Sequence, residues 1–151
     1  MINNQERFDT NQAKRFINVI FGDEKTKITF LQFNDKKKNG AAEIFHGTLE
    51  KNQKRIEAID GSKNQSVYFC VNLTDQKGKK AENITEIRTL FYDSDAGSGK
   101  GLIKEPPIRP RVIIRTSSGD QGENTQGFYP LRKDQWNRPD AKELFKIAQK
   151  S

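Results

Sequence analysis

Two aspartates, Asp93 and Asp95, end an apolar segment and are the residues most able to do chemistry. In an extended strand, residues two apart point to the same side, so the two carboxylates project together. Neighbouring carboxylates repel each other unless a cation lies between them, and hard oxygen ligands suit Mg²⁺ or Mn²⁺. The pattern therefore predicts a divalent-metal site of the kind used in phosphoryl transfer. The alternative is that both aspartates begin an ordinary exposed turn.

Basic residues form clusters that favour a polyanionic partner. The chain has 27 Lys and Arg against 20 Asp and Glu, a formal charge of +7, which attracts phosphates through counterion release. Phe128, Tyr129 and Trp136 are near in sequence, and a basic groove with aromatic rings suits single-stranded nucleic acid. In the alternative interpretation, the lysines coat exposed loops and the aromatic rings fill the core. The predicted nucleic-acid contacts are Lys77, Lys79, Lys80, Arg88, Arg109 and Arg111.

The single cysteine and the lack of long apolar segments restrict where the protein works. Cys70 excludes an internal disulfide, and its apolar neighbours suggest a buried strand position. The first ten residues lack the apolar run of a signal peptide. No segment approaches the about 18 apolar residues of a membrane span. We therefore expect a cytoplasmic protein without a membrane partner.

Periodic patterns locate the elements that must hold these residues. Apolar residues at helical spacing predict helices over residues 9–21 and over residues 49–61, the second capped by Thr48. β-branched and aromatic runs predict strands, of which residues 65–73 form the central one. Residues 41–47 are ambiguous. The other predicted elements are strands at 27–33, 84–95 and 111–117, loops at 74–83, 96–110 and 118–126, an apolar segment at 127–131 and a final helix from Pro139.

The order of these elements predicts an α+β fold in which helices and strands alternate, as they do in α/β proteins. One central sheet, mostly antiparallel or mixed, would hold about four to five strands between flanking helices. A chain of 151 residues has room for one compact core, since domains commonly contain ~100–150 residues. We therefore predict a single domain over residues 1–151.

A family resemblance lies in three segments, taken in order: residues 46–49, 67–97 and 112–119. Together they resemble the N-terminal part of the archaeo-eukaryotic-type primase/polymerase superfamily, in the branch found in plasmid and phage replication proteins. The resemblance implies a primase-like fold in which the DxD aspartates ligate the catalytic metal, here Asp93 and Asp95 with Mg²⁺ or Mn²⁺. It also implies single-stranded DNA or another nucleic acid as the partner.

The resemblance also assigns residues to the phosphates of an incoming nucleotide. The family has a histidine just past a Ser-Ser-Gly loop, and Gln126 stands at that position here. A neutral amide can hydrogen-bond a phosphate but carries no positive charge. Ser118 would touch the same phosphates, and Arg115 would neutralise the charge that develops during transfer. The only histidine, His46, lies far upstream, where we expect a structural role.

These observations support a leading hypothesis and two alternatives. The leading one is a primase/polymerase-like nucleic-acid-binding domain of a mobile-element or phage replication protein, with a divalent-metal site and impaired nucleotidyl transfer. The first alternative is a non-catalytic, primase-derived protein that binds a host nucleoprotein complex, as an anti-CRISPR inhibitor of nucleic-acid defence does. The second is a fragment of a longer replication protein, since the third acidic residue of the family would follow Ser151.

Overall fold

The structure is a computed structural model that describes residues 8–37, 40–95, 106, 108–119, 122–136, 140 and 143. The chain divides into two compact units, the first ending at Glu86 and the second beginning at Ile87. The predicted helix from Pro139 and most of the predicted loop at 96–110 lie outside the described residues. The single-domain interpretation stays a prediction.

Two helices of the first unit begin and end close to the predicted positions. α1 (Thr10–Phe21) begins after Asp9, whose carboxylate accepts two backbone N–H groups of the first turn. It ends at Gly22, whose φ of 81° is a conformation that favours glycine. α2 (Leu49–Asp60) begins after Thr48, whose side chain caps the first turn as predicted. Local capping chemistry therefore sets the ends of both helices.

The first sheet places β1 (Ile28–Asn34) between β2 (Glu43–Gly47) and β3 (Gln65–Phe69), with both pairings antiparallel. The prediction that residues 65–73 form the central strand is wrong, because β3 lies at an edge of this sheet. Burial gives the physical reason. The first four residues of β1 are buried, whereas Tyr68 in β3 is 56% exposed. The ambiguous segment before α2 is a strand, β2.

Aromatic pairs join the helices and strands of the first unit. Phe16 of α1 meets Phe69 of β3 edge to face, with ring centroids 5.5 Å apart. Phe30 of β1 stacks on Phe45 of β2 at a centroid distance of 5.1 Å. Burying a large apolar side chain stabilises the folded state by about 1.5–3 kcal/mol. The buried apolar residues of this unit are Ile17, Ile20, Phe21, Ile28, Phe30, Leu31, Phe45, Leu49, Ile56 and Ile59.

Two of the predicted strands are each interrupted. Residues 65–73 leave the first sheet after β3, and β4 (Leu73–Thr74) pairs with β5 (Ile84–Glu86) in a small second sheet. Residues 84–95 divide between β5 and β6 (Thr89–Ser94), which belong to different sheets. A continuous apolar run in the sequence thus does not ensure a continuous strand.

Cys70 follows the end of β3, so its predicted place inside a buried strand is wrong. Its backbone N–H donates to the Thr29 carbonyl, with 2.8 Å between nitrogen and oxygen, and its side chain is half-buried. Burial raises the pKa of the Cys70 thiol, and the positive charge of Lys79 opposes that rise. The thiol is therefore protonated at neutral pH.

The third sheet lies in the second unit, with β8 (Gly122–Pro130) between β6 and β7 (Val112–Gly119). β7 and β8 form an antiparallel hairpin, so the predicted loop at 118–126 is wrong for most of its length. Its two glycines, one serine and one asparagine favour loops in sequence. Backbone pairing on both sides of β8 outweighs that local preference.

The α+β class is confirmed by these helices and antiparallel sheets. The described strands lie in three small sheets of three, two and three strands, so one larger central sheet is not confirmed, nor is a primase-like arrangement. In the described part of the chain, no helix has the length and apolar character needed to cross a membrane.

Candidate nucleic-acid interface

One face of the third sheet carries two tyrosines and an exposed isoleucine. Tyr92 of β6 pairs with Gly127 of β8, and Gly127 pairs with Ile113 of β7, so these residues form a row across the sheet. Residues directly opposite in antiparallel strands share a face, as do residues two apart in one strand. Tyr129 therefore lies on the same face, with its ring centroid 6.3 Å from that of Tyr92.

Gly127 makes room for the ring of Tyr92. A Cβ atom at residue 127 would lie 2.1 Å from Cε1 and 2.8 Å from Oη of Tyr92, which is closer than folded proteins tolerate. The ring thus lies across the backbone of β8. Tyr92 is partly exposed, and Ile113, on the other side of Gly127, is 53% exposed. The centre of this face is consequently apolar and open to solvent.

An exposed arginine of the second unit flanks this apolar centre. Arg115 lies two residues after Ile113 in β7, so strand alternation places it on the same face as the tyrosines. Arg109 and Arg111 are also exposed and precede β7, and the Arg111 N–H donates to the Phe128 carbonyl at 2.9 Å. We call this surface the tyrosine face, and it consists of Tyr92, Tyr129, Ile113, Gly127 and Arg115.

Tyr129 is fixed within the tyrosine face by its hydroxyl group. The hydroxyl donates to the carbonyl oxygen of Ile108, with 2.8 Å between the oxygens. Burial raises the pKa of Tyr129, and the neighbouring Tyr92 adds a smaller rise. The hydroxyl therefore stays protonated at neutral pH and holds the ring edge against the segment that precedes β7.

The opposite face of the third sheet has stacked phenylalanines at one end and polar side chains at the other. Phe91 stacks on Phe128 with ring centroids 6.3 Å apart, and Phe128 is only 1% exposed. Phe128 therefore fills the core, as the alternative interpretation of the aromatic rings holds. Two residues further along the strands, Asp93 of β6 pairs with Gln126 of β8.

The predicted metal ligands, Asp93 and Asp95, are both exposed and flank Ser94, which is 2% exposed. Asp93 lies within β6, and Asp95 follows the end of the strand. Among the described residues, no group of three or more His, Cys, Asp or Glu side chains forms a metal site. Mg²⁺ commonly takes one or two carboxylates together with water and phosphate oxygens, so two aspartates beside Gln126 fit that ion. Their role as metal ligands stays a prediction.

The predicted phosphate contacts do not lie together. Gln126 of β8 pairs directly with Asp93 of β6. Arg115 of β7 pairs with Thr125, the residue before Gln126, so its side chain lies on the other face of the sheet. Ser118 belongs to β7 and pairs with Glu123 further along the hairpin. The expectation that Gln126 and Ser118 lie in a loop is wrong, because both belong to strands. The third sheet thus brings Asp93 and Gln126 together and places Arg115 on the opposite face.

Arg88 is engaged with the only tryptophan of the chain. Its guanidinium carbon lies 4.1 Å from the ring centroid of Trp136, and the Lys133 ammonium lies 5.9 Å from the same centroid. The Trp136 ring is held by its Nε1–H, which donates to the Leu131 carbonyl at 3.0 Å. A stacked guanidinium keeps N–H donors at its edge, so Arg88 can contact a phosphate while it remains on the ring.

The lysine loop, residues 75–83 between β4 and β5, has a defined backbone. Its ends are joined because the Asp75 N–H donates to the Asn83 carbonyl at 2.8 Å and Asn83 Nδ2 donates to Asp75 Oδ2 at 3.2 Å. The Lys77 N–H donates to Asp75 Oδ1 at 2.9 Å and lowers the pKa of that carboxyl. The loop presents three of the predicted nucleic-acid contacts as exposed side chains, namely Lys77, Lys79 and Lys80.

His46 takes part in a buried hydrogen-bond chain of the first unit. The Thr29 hydroxyl oxygen lies 2.9 Å from His46 Nδ1 and 2.5 Å from the Thr74 hydroxyl oxygen. Thr29 is 1% exposed, so its hydroxyl depends on these two partners. The chain connects the first sheet to the second, which agrees with the expected structural role of His46.

Sequence reasoning missed two tyrosines, the partly exposed Tyr92 and the exposed Tyr68. Tyr92 directly precedes Asp93, and the sequence pattern predicted only the carboxylates as site residues. Tyr68 was assigned to a central strand, in which both faces would be buried. In each case the sequence has an aromatic residue in a strand and basic residues in a neighbouring segment, a pattern that indicates single-strand binding.

Comparison with protein-family models, with curated proteins and with solved structures finds no match for this chain. The resemblance to primases consequently rests on the three sequence segments alone.

Proposed function

We propose that this protein binds single-stranded nucleic acid through the tyrosine face. The observation that carries the proposal is the presence, on one face of the third sheet, of two tyrosine rings with centroids 6.3 Å apart and the exposed Arg115. Aromatic rings on an open sheet can stack against bases of any sequence, and arginines can contact the phosphates between them. The net charge of +7 favours the same polyanionic partner.

The wider proposal is that the chain is a primase/polymerase-like domain of a mobile-element or phage replication protein. Sequence resemblance supports it, and so does the pairing of Asp93 with Gln126, which joins the predicted metal-binding strand to the predicted phosphate-binding position. The position of Arg115 on the opposite face supports strand binding more than nucleotidyl transfer. Nucleic-acid binding is therefore the function that the geometry favours.

Titration of labelled oligonucleotides tests the binding proposal. Single strands of about 15 nucleotides cover the usual site sizes, and DNA and RNA are compared by anisotropy. Tyr92→Ala removes a stacking ring, which is worth about 1–3 kcal/mol per base, or roughly 5- to 150-fold in Kd. Tyr92→Phe keeps the ring and should bind the single strands more tightly than Tyr92→Ala does.

Charge variants provide the second arm of this test. Arg115→Gln should weaken binding and reduce the slope of log K against log salt by about 0.7, the value for one phosphate contact on a single strand. Arg15→Gln, at an exposed arginine of α1 in the first unit, removes the same charge from the chain without changing the tyrosine face and serves as the matched control. Equal binding by wild type and Tyr92→Ala would overturn the proposal. Binding to a host nucleoprotein complex, with no binding to free oligonucleotides, would replace it with the inhibitor hypothesis.

Metal-dependent nucleotidyl transfer is the second candidate function, and the pairing of Asp93 with Gln126 favours it. Asp93 and Asp95 would hold Mg²⁺ or Mn²⁺, which stabilises the charge of transferring phosphates when bound. Primer synthesis and extension on single-stranded DNA, with either ion, compares the wild type with the Asp93→Ala/Asp95→Ala variant. Activity that the variant lacks would establish transfer. Inactivity of both proteins would leave a binding protein.

A further inference from the structure

A second aromatic and basic surface lies on the first unit and includes part of the lysine loop. Phe33 of β1 and Tyr68 of β3 meet edge to face, with ring centroids 5.4 Å apart and an angle of 87° between the rings. Tyr68 is 56% exposed. Among the described residues, it is the one aromatic side chain in the group of exposed large apolar residues. The lysine loop reaches this pair, since Lys79 Nζ lies 5.6 Å from the ring centroid of Phe33.

The exposure of Tyr68 has no explanation in the packing of the fold. Register places Tyr68 opposite Leu31, which in turn pairs with Ile44, so the three share one face of the first sheet. The helices pack on the other face, where Phe16 meets Phe69. Tyr68 therefore stabilises little of the core, and more than half of its surface remains in contact with water.

An open cleft of about 540 Å³ lies beside the two rings and is lined by Phe33, Asn34, Asp35, Lys37 and Tyr68. This volume falls within the range of small-molecule sites and exceeds the needs of one nucleobase with its sugar. Asp35 is the one acidic group of the lining, and its Oδ1 accepts the Ser66 hydroxyl at 2.6 Å. A carboxylate at this point can accept a hydrogen bond from the amino group of a base. The ammonium groups of Lys37 and Lys79 attract phosphate.

We propose that the Phe33–Tyr68 pair, with Lys37 and Lys79, is a second binding site for a nucleotide of a single strand. One base stacks on the exposed ring of Tyr68, and the adjoining phosphate lies near the two ammonium groups. Charge complementarity and the solvent-exposed ring select nucleic acid over an apolar protein partner. This inference rests on the proposed function and extends it from the second unit to the first.

The test uses the 151-residue chain and the same labelled single strands of DNA and RNA. Tyr68→Ala should weaken binding about fivefold or more, and Tyr68→Phe, which keeps the ring, should bind more tightly than Tyr68→Ala. Lys79→Gln should lower the affinity and the salt dependence. Lys54→Gln, an exposed lysine of α2, removes an equal charge elsewhere on the first unit and is expected to bind as the wild type does.

Cross-linking provides a readout that a loss of folding cannot imitate. Irradiation of an iodouridine-substituted strand bound to the wild-type protein should attach it to the peptide that contains Tyr68. Unchanged affinity of Tyr68→Ala, with weakened affinity of Tyr92→Ala, would overturn the second site and leave the proposed function standing. Absence of any binding by the wild type would overturn both. If the wild type binds a protein partner and does not bind the single strands, the surface is a protein interface.

Discussion

The first and third sheets distribute their aromatic side chains in different ways. In the first sheet, Phe30 and Phe45 stack on the face that carries α1 and α2, and Tyr68 is exposed on the other face. In the third sheet, Phe91 and Phe128 occupy one face, while the partly exposed Tyr92 shares the other with Arg115. Phenylalanine thus dominates the packed faces of both sheets. Tyrosine, whose hydroxyl tolerates water, lies on the faces that also receive basic side chains.

The largest effect is expected when the space that lets the Tyr92 ring lie on the third sheet is filled. Gly127→Ala would place a methyl group 2.1 Å from a ring carbon of Tyr92. Overpacking of this kind costs about 1–3 kcal/mol, so both the free energy of unfolding and the affinity for single strands should fall. Thermal unfolding and anisotropy measure the two effects.

Gly61→Ala is the matched control in the first unit. A Cβ atom at residue 61 would meet only the Glu57 carbonyl oxygen at 3.5 Å and the Ala58 carbonyl oxygen at 3.9 Å, which are ordinary contacts. Its φ of −71° suits alanine. Equal stability of Gly127→Ala and Gly61→Ala would contradict the arrangement of Tyr92 over β8.

A smaller effect is expected where the first and second sheets are joined. Thr29→Val keeps the shape of the side chain but removes the hydroxyl shared with His46 and Thr74. The expected loss is about 1 kcal/mol in the free energy of unfolding, measured with denaturant. Affinity for single strands through the tyrosine face should stay unchanged. Thr29→Ser retains the hydroxyl, and a loss as large as that of Thr29→Val would show that packing rather than hydrogen bonding is responsible.

The smallest effect is expected from the pH dependence of the lysine loop. Because the pKa of Asp75 is lowered in the folded protein, its contribution to stability is complete above the ordinary value of 3.8 and is lost as the pH falls through the folded value. Hydrogen exchange of the Lys77 amide should therefore be slow near neutral pH relative to its intrinsic rate and lose protection in acid. Asp75→Ala should remove that protection at every pH, and protection that persists in this variant would contradict the role of the carboxylate.

Local signals predicted the helices of this fold well. The Asp9 and Thr48 caps and the Gly22 stop act through the nearest turn of backbone, so the sequence alone was sufficient to place α1 and α2. Strand pairing is a non-local property, and there the predictions failed. β8 contains two glycines and several polar residues, and only its hydrogen bonds to β6 and β7 make it the central strand of the third sheet.

The candidate site was predicted in part for the same reason. Exposure of the basic residues in the lysine loop follows from composition, and the structure agrees with it. The structure pairs Asp93 with Gln126, although Gln126 was expected in a loop. The tyrosine face could not be predicted, because it requires the register that places Gly127 beside Tyr92. Alternation along one strand gives the face of a residue but not its neighbours across the sheet.

The place of the only tryptophan, Trp136, has a spectroscopic consequence. This ring lies in the second unit beneath the guanidinium of Arg88, whereas the first unit contains one tyrosine, Tyr68, and no tryptophan. Emission excited at the indole band therefore follows the second unit selectively, and the first unit is silent at that wavelength. If a phosphate binds to Arg88 on the indole, the charge beside the ring changes and so does the emission, without any label, so the unmodified protein carries its own optical probe in the second unit.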